Sequence, residues 1–127
     1  MPATSPEQIH RLFESSFNAG DLDELMTLYE PDAALIPQPG SVAHGTEEVR
    51  AALQQYLALQ GRITLETKLV VEVGDLAYLS NTWSLSGTGA DGQPLTLGAT
   101  TAEVARRQGD GTWRYVIDNV WGDQGAA

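Results

Sequence analysis

Asp118 is the residue of this 127-residue sequence most suited to moving a proton. It stands in Ile117-Asp118-Asn119-Val120-Trp121, among apolar neighbours, where an acid is costly unless it is hydrogen-bonded or protonated. Burial there would raise its pKa and suit it to general acid or base work near neutrality. Strict alternation along a strand puts Asp118 with Arg114 on the face away from Trp113 and Tyr115. A single bulged residue inverts that parity, so pocket and outer face both stay open. His44 is the second catalytic candidate, because an imidazole titrates near neutral pH and this one precedes a helix in a loop that can border a cavity mouth. The ordinary alternative is a solvated loop histidine.

Residues that could bind rather than react come next. Tyr29 and Tyr56 could each turn a hydroxyl inward as a donor to a ligand oxygen, or be core tyrosines with satisfied hydroxyls. Trp83 and Trp121 offer flat aromatic walls for a planar ligand, whereas Trp113 reads as core. Thr101 and Glu103 alternate on one strand, where Glu103 fits a solvated or dimer face as readily as a pocket.

Other chemistry is excluded by composition. There is no cysteine, and His10 and His44 are the two histidines, so neither a metal site nor a thiolate nucleophile is expected, and no cofactor is called for. The net charge of -10 is spread along the chain, and the longest basic cluster is Arg106-Arg107, so nucleic acid is not an expected partner. A 42% hydrophobic and 19% charged composition is that of an ordinary globular protein. No apolar run is long enough to span a bilayer, and the polar start from Met1 to Gln8 is no signal peptide, so the expectation is a cytoplasmic protein without a membrane partner.

The elements that must position these residues follow from periodicity and punctuation. Ser5-Pro6-Glu7-Gln8 starts a helix from Pro6 to Asn18, with Ile9, Leu12, Phe13, Ser16 and Phe17 on one stripe. Asp21 and Glu24 box a short second helix burying Leu22, Leu25, Met26 and Tyr29, which Pro31 ends. Ala33 to Ile36 reads as a short strand, and Pro37 to Gly40 as a loop. Gly45-Thr46 opens a third helix carrying Val49, Ala52, Leu53, Tyr56 and Leu57, closed by Gly61. The pattern then alternates: strands are predicted from Arg62 to Val73, Leu76 to Ser86, Pro94 to Arg107 and Thr112 to Trp121, with turns at Gly74-Asp75, Asp91-Gly92 and Gly109 to Gly111. Helices segregated from strands make an α+β fold: a cone-shaped, curved antiparallel sheet packed on three N-terminal helices, in one domain over residues 1–127.

Five segments carry a resemblance. Phe17-Asn18-Ala19-Gly20-Asp21-Leu22-Asp23, Leu28-Tyr29-Glu30-Pro31-Asp32-Ala33, Gly45-Thr46-Glu47-Glu48-Val49-Arg50, Gly74-Asp75-Leu76-Ala77 and Gly111-Thr112-Trp113-Arg114 fall in order along nearly the whole chain. In these the chain resembles the nuclear transport factor 2-like superfamily, and within it the SnoaL-like and ketosteroid-isomerase-like small proteins. The resemblance implies the cone fold and a homodimer through the sheet. It spans isomerases, dehydratases, epoxide hydrolases, cyclases and non-catalytic assembly modules, among which fold cannot choose. The steroid isomerases' tyrosine position falls on Phe13 and their base position on Pro37, neither of which can move a proton, and the stretch expected to hold a second acid offers Thr100, Thr101 and Glu103. The expectation is therefore a protein that binds a small hydrophobic or aromatic molecule in a pocket lined by Asp118, Tyr29, Tyr56, Trp83, Thr101 and Trp121, with His44 at its rim. It is either a cofactor-free acid/base isomerase, cyclase or lyase, or a non-catalytic dimerisation module.

Overall fold

The first helix, α1 (Pro6–Asn18), starts at the predicted proline, whose missing N–H falls where a helix has no acceptor to offer. The Ser5 side chain makes no cap; instead Gln8 Oε1 accepts from the Thr4 backbone N–H at 2.6 Å and from its hydroxyl at 2.9 Å. Asp21 Oδ1 accepts from the Glu24 N–H at 3.1 Å and opens α2 (Leu22–Met26). Helix α3 (Thr46–Leu57) follows Gly45, whose φ of 86° lies where residues with a side chain are strained. These elements belong to a computed structural model that describes residues 3–122.

Among the described residues seven strands form one sheet: β1 (Tyr29–Gln38), β2 (Ser41–His44), β3 (Arg62–Val73), β4 (Leu76–Thr88), β5 (Pro94–Thr100), β6 (Ala102–Arg107) and β7 (Trp113–Asn119). Their order is β2-β1-β7-β6-β4-β3, with β5 continuing beside β4. Every pairing is antiparallel except β1 with β7, which run parallel and join the first strand to the last. The helices α1 and α3 pack on the inner face of this curved open sheet, α1 against β3, β4 and β7 and α3 against β1.

Three expectations are corrected. Tyr29 is on β1 and not on the second helix, and β1 runs straight through Pro31 and Pro37. Neither proline has a partner in either neighbour's register, so no ladder donor is missed. The short hairpin strand β2, which carries His44, replaces the expected loop end. The third long strand is divided at Thr101, whose backbone N–H donates to the Asn81 carbonyl at 2.8 Å while its own carbonyl accepts from the Ser80 hydroxyl at 2.7 Å.

Two bulges decide which side chains enter the core. On β3 the register shifts between Thr67 and Leu69, so Leu69, Val71 and Val73, which alternation had placed with Ile63 and Leu65, turn outward. On β7 the register shifts where Val104 pairs Ile117 but Ala105 pairs Tyr115, leaving Val116 as the extra residue. The inversion of parity buries Tyr115 and Asp118 on the same face and turns Ile117 out. The core between sheet and helices is built on Ile9, Phe17, Leu25, Leu35, Leu53, Leu79, Leu85 and Tyr115.

Candidate functional site

Strands β4, β6 and β7 and helix α1 each send polar side chains into that core. Asp118 on β7 and Glu103 on β6 face each other across the ladder as directly paired residues, and each is only 3% exposed. Tyr29 on β1, also buried, donates its hydroxyl to Asp118 Oδ2 at 2.5 Å. One oxygen of Glu103, Oε1, accepts from the Thr101 hydroxyl at 2.9 Å and the Asn81 Nδ2 at 3.3 Å, and lies 2.7 Å from His10 Nε2. The other imidazole nitrogen, Nδ1, is 2.8 Å from the Thr67 hydroxyl. A neutral ring with its proton on Nε2 satisfies both contacts, donating to Glu103 and accepting from Thr67.

Of these groups Asp118, Glu103, Thr101 and Asn81 border a cavity whose walls are otherwise apolar: Phe13, Phe17, Leu35, Leu53, Ile63, Leu65, Leu85 and Val120, with Trp83, Tyr56 and Tyr115. Its volume is ≈ 40 Å³, about three waters' worth of room.

Charge in so dry a place is expensive, and Asp118 and the two buried phenols reflect it. Burial first, then the facing Glu103 carboxyl, holds the Asp118 pKa well above the ordinary carboxylate value, with the Tyr29 hydrogen bond pulling the other way. Burial likewise pushes the Tyr29 and Tyr115 phenols well up, reinforced by Asp118 at the first and Glu103 at the second. Both phenols stay protonated donors at physiological pH. A carboxyl that keeps its proton beside a second carboxyl can give the proton up or take it back, which is what general acid/base chemistry requires.

Six of the seven residues picked from sequence lie in or beside this arrangement. Asp118, Tyr56, Trp83 and Thr101 line the cavity and Tyr29 holds Asp118 from behind. Trp121 is one layer out, its indole N–H donating to the Pro37 carbonyl at 2.8 Å and its ring edge-on to Trp83 at 5.3 Å. His44 stands apart: its side chain is exposed at the end of β2, which lies at the far edge of the sheet, and the correction follows from the β1–β2 hairpin carrying it away from β6 and β7. The Asp118–Arg114 pairing on an outer face is likewise overturned by the bulge at Val116.

Sequence reasoning missed His10, Asn81 and Tyr115 and left Glu103 undecided. His10 was legible in retrospect, since it precedes Phe13 and Phe17 by three and seven residues and so shares their helix face. Among the described residues no group of three or more acids and histidines is arranged to hold a metal. No described helix is long and apolar enough to cross a membrane.

With the fold and site in place, comparison defines the class. The chain belongs to the SnoaL-like domain family, whose model matches residues 9–116. Its structural neighbours lie in the nuclear transport factor 2-like and ketosteroid-isomerase-like superfamily. A ketosteroid isomerase-like protein from Erwinia carotovora atroseptica superposes with a TM-score of 0.78 at 19% identity, over 88% of each chain. A nuclear transport factor 2-like superfamily protein from Salmonella enterica does so with a TM-score of 0.76 at 16% identity, over 91% of this chain and 86% of that one. A protein from Thiobacillus denitrificans, described as a candidate calcium/calmodulin-dependent protein kinase type II association domain, gives 0.73 at 22% identity over 94% of each. At such identities the likeness is one of fold. No curated protein matches the sequence.

Proposed function

We propose that this SnoaL-like protein binds a small, largely apolar molecule in the cavity between helices and sheet and transforms it by cofactor-free acid/base chemistry, as an isomerase, cyclase or lyase. The observation that carries this reading is the Asp118–Glu103 pair, two facing carboxyls at the wall of an apolar cavity. Such a pair is costly to keep in a scaffold, since replacing buried ionisable groups with packed hydrophobic ones is often neutral or stabilising. Asp118 exchanges the proton with a ligand carbon or oxygen; Tyr29 fixes its orientation; Thr101, Asn81 and His10 fix Glu103. Tyr56 and Trp83 contact the ligand's apolar body. Both steroid-isomerase positions tested in the sequence remain unfit for proton transfer, so the reaction would use the β6–β7 acids instead.

The test is a stability-shift screen of uncharged alicyclic and aromatic ketones, alcohols and epoxides, followed by turnover of any hit. Asp118→Asn should lower turnover by about 10²–10⁴-fold, the usual worth of a general acid or base, with little change in ligand affinity. Unchanged turnover would remove Asp118 as the catalyst.

A second reading, a dimerisation or partner-binding module, has its own observation. On the outer sheet face Val71, Tyr78, Val104 and Ile117 form one unbroken cross-strand row, flanked by Leu69, Val73 and Leu76, and most of these side chains are more than 40% exposed. A contiguous apolar face of this kind is what a homodimer through the sheet would cover. It leaves the inner cavity free, so a dimer is compatible with the enzymatic reading; only the absence of any cavity ligand would favour a module without chemistry.

A further inference from the structure

A second, larger hollow lies outside the cavity, between the β1–β2 hairpin and α3. It is an open groove of ≈ 560 Å³, bordered by Pro37, Val42, Ala51, Leu97 and Trp121. Tyr56 borders both spaces. Its hydroxyl donates to the Pro37 carbonyl, the same oxygen that accepts from Trp121 Nε1 at 2.8 Å. Trp121 in turn leans edge-on against Trp83, which borders the inner cavity. The partition between the two spaces is thus two aromatic rings tied to one carbonyl, backed by Trp83, whose indole N–H donates to the Val120 carbonyl at 2.8 Å. Tyr56 and Trp121 are only half-buried, and side chains so placed can swing without opening the core.

The inner end makes a specific demand. Asn81 borders the cavity, and its buried Oδ1 is without a hydrogen-bond partner among the described residues, while its Nδ2 is committed to Glu103. A buried acceptor left in that state is costly, and an O–H or N–H on a ligand would satisfy it. At the outer end Glu48 is the one charged residue among the described residues bordering the groove. Acids at both ends, and no cation among the described residues at either, disfavour an anionic ligand.

Resting on the small-molecule reading above, we infer that the ligand site has two compartments gated by Tyr56, and that its ligand is an uncharged, elongated molecule: a compact hydroxyl- or amide-bearing head that donates to Asn81 Oδ1, and an apolar tail that lies in the outer groove.

Isothermal titration of the full chain with phenol, anisole and 4-hexyloxyphenol tests each part. Phenol should bind, and anisole, which lacks the donor, about tenfold more weakly. The hexyloxy tail should tighten binding by about tenfold or more through added apolar burial. Ala51→Trp, on the exposed side of α3, fills the groove and should abolish the gain from the tail while leaving phenol affinity within about twofold. Tyr56→Phe frees the gate from Pro37 and should speed association of both phenols about fivefold in stopped-flow tryptophan fluorescence. Equal affinity for the two phenols, or a gain that survives Ala51→Trp, overturns the outer compartment and leaves the inner-cavity reading standing. Equal binding of anisole and phenol overturns the role of Asn81, and an unchanged association rate in Tyr56→Phe overturns the gate. Failure of all three probes to bind overturns the two-compartment site together with the small-molecule reading on which it rests.

Discussion

Removing the Tyr29 hydroxyl isolates the electrostatics of the site, because Tyr29→Phe keeps the ring, leaves no cavity and deletes one hydrogen bond. That bond is 2.5 Å long, runs to a carboxyl that is 3% exposed, and comes from a donor that burial keeps protonated. Its worth depends on the charge of Asp118: about 0.5–1.5 kcal/mol to a neutral carboxyl and about 1.5–3 kcal/mol to a carboxylate. The native pKa of Asp118 lies well above its unfolded value of 3.8, so below that pH both states hold the proton and stability from this group is complete. As pH rises above 3.8 the unfolded chain releases the proton first, and stability is lost until Asp118 itself titrates in the native state. The phenol lowers that native pKa, so in Tyr29→Phe the decline continues to higher pH and ends deeper. Urea unfolding of both proteins across the pH range should therefore give a stability difference of about 1 kcal/mol in acid that grows to about 2 kcal/mol or more once Asp118 is charged. A difference that stays constant across a pH range in which Asp118 titrates would refute the reasoning, because it would mean that the Tyr29 hydroxyl does not sense the charge on Asp118.

Other perturbations probe the supports. Thr101→Val strands the Asn81 N–H and removes one donor to Glu103, and should cost about 1–3 kcal/mol in urea unfolding, largely restored in Thr101→Ser. Gly98→Ala places a Cβ 2.8 Å from the Trp83 backbone carbonyl and should cost about 1–3 kcal/mol, with a changed tryptophan emission because the β4–β5 pairing must shift. Leu79→Ala, in the fully buried inner row of β4, should cost about 2–5 kcal/mol. Tyr78→Lys with Ile117→Lys should convert the proposed dimer to a monomer in sedimentation while leaving the helical circular dichroism unchanged; persistence of the dimer would place its interface elsewhere.

Most of the fold was legible because its signals are local. Pro6, Asp21 and Gly45 each open a helix where the chain says they should, and Gly74-Asp75 turns β3 into β4. What alternation could not reveal were the bulges at Lys68 and Val116, since a bulge is a property of two strands in register and not of either strand alone. Those two extra residues move Leu69, Val71 and Val73 outward and bring Asp118 inward, so they settle the outer face and the site together. The same dependence on pairing hid the Asp118–Glu103 contact, which joins residues fifteen apart in sequence through one ladder position. His10 was overlooked for a different reason: on an apolar helix stripe a lone polar residue reads as an exception, and its partners Thr67 and Glu103 lie far along the chain.

Carbon-detected NMR of the side-chain carboxyls, with the Asp118 resonance assigned through Asp118→Asn, measures the central claim directly. The account predicts an Asp118 carboxyl that holds its proton far above the ordinary carboxylate range and whose titration is altered in Glu103→Gln, the mark of two acids sharing one dry cavity. An Asp118 that titrates near 3.8, indifferent to Glu103, would contradict it.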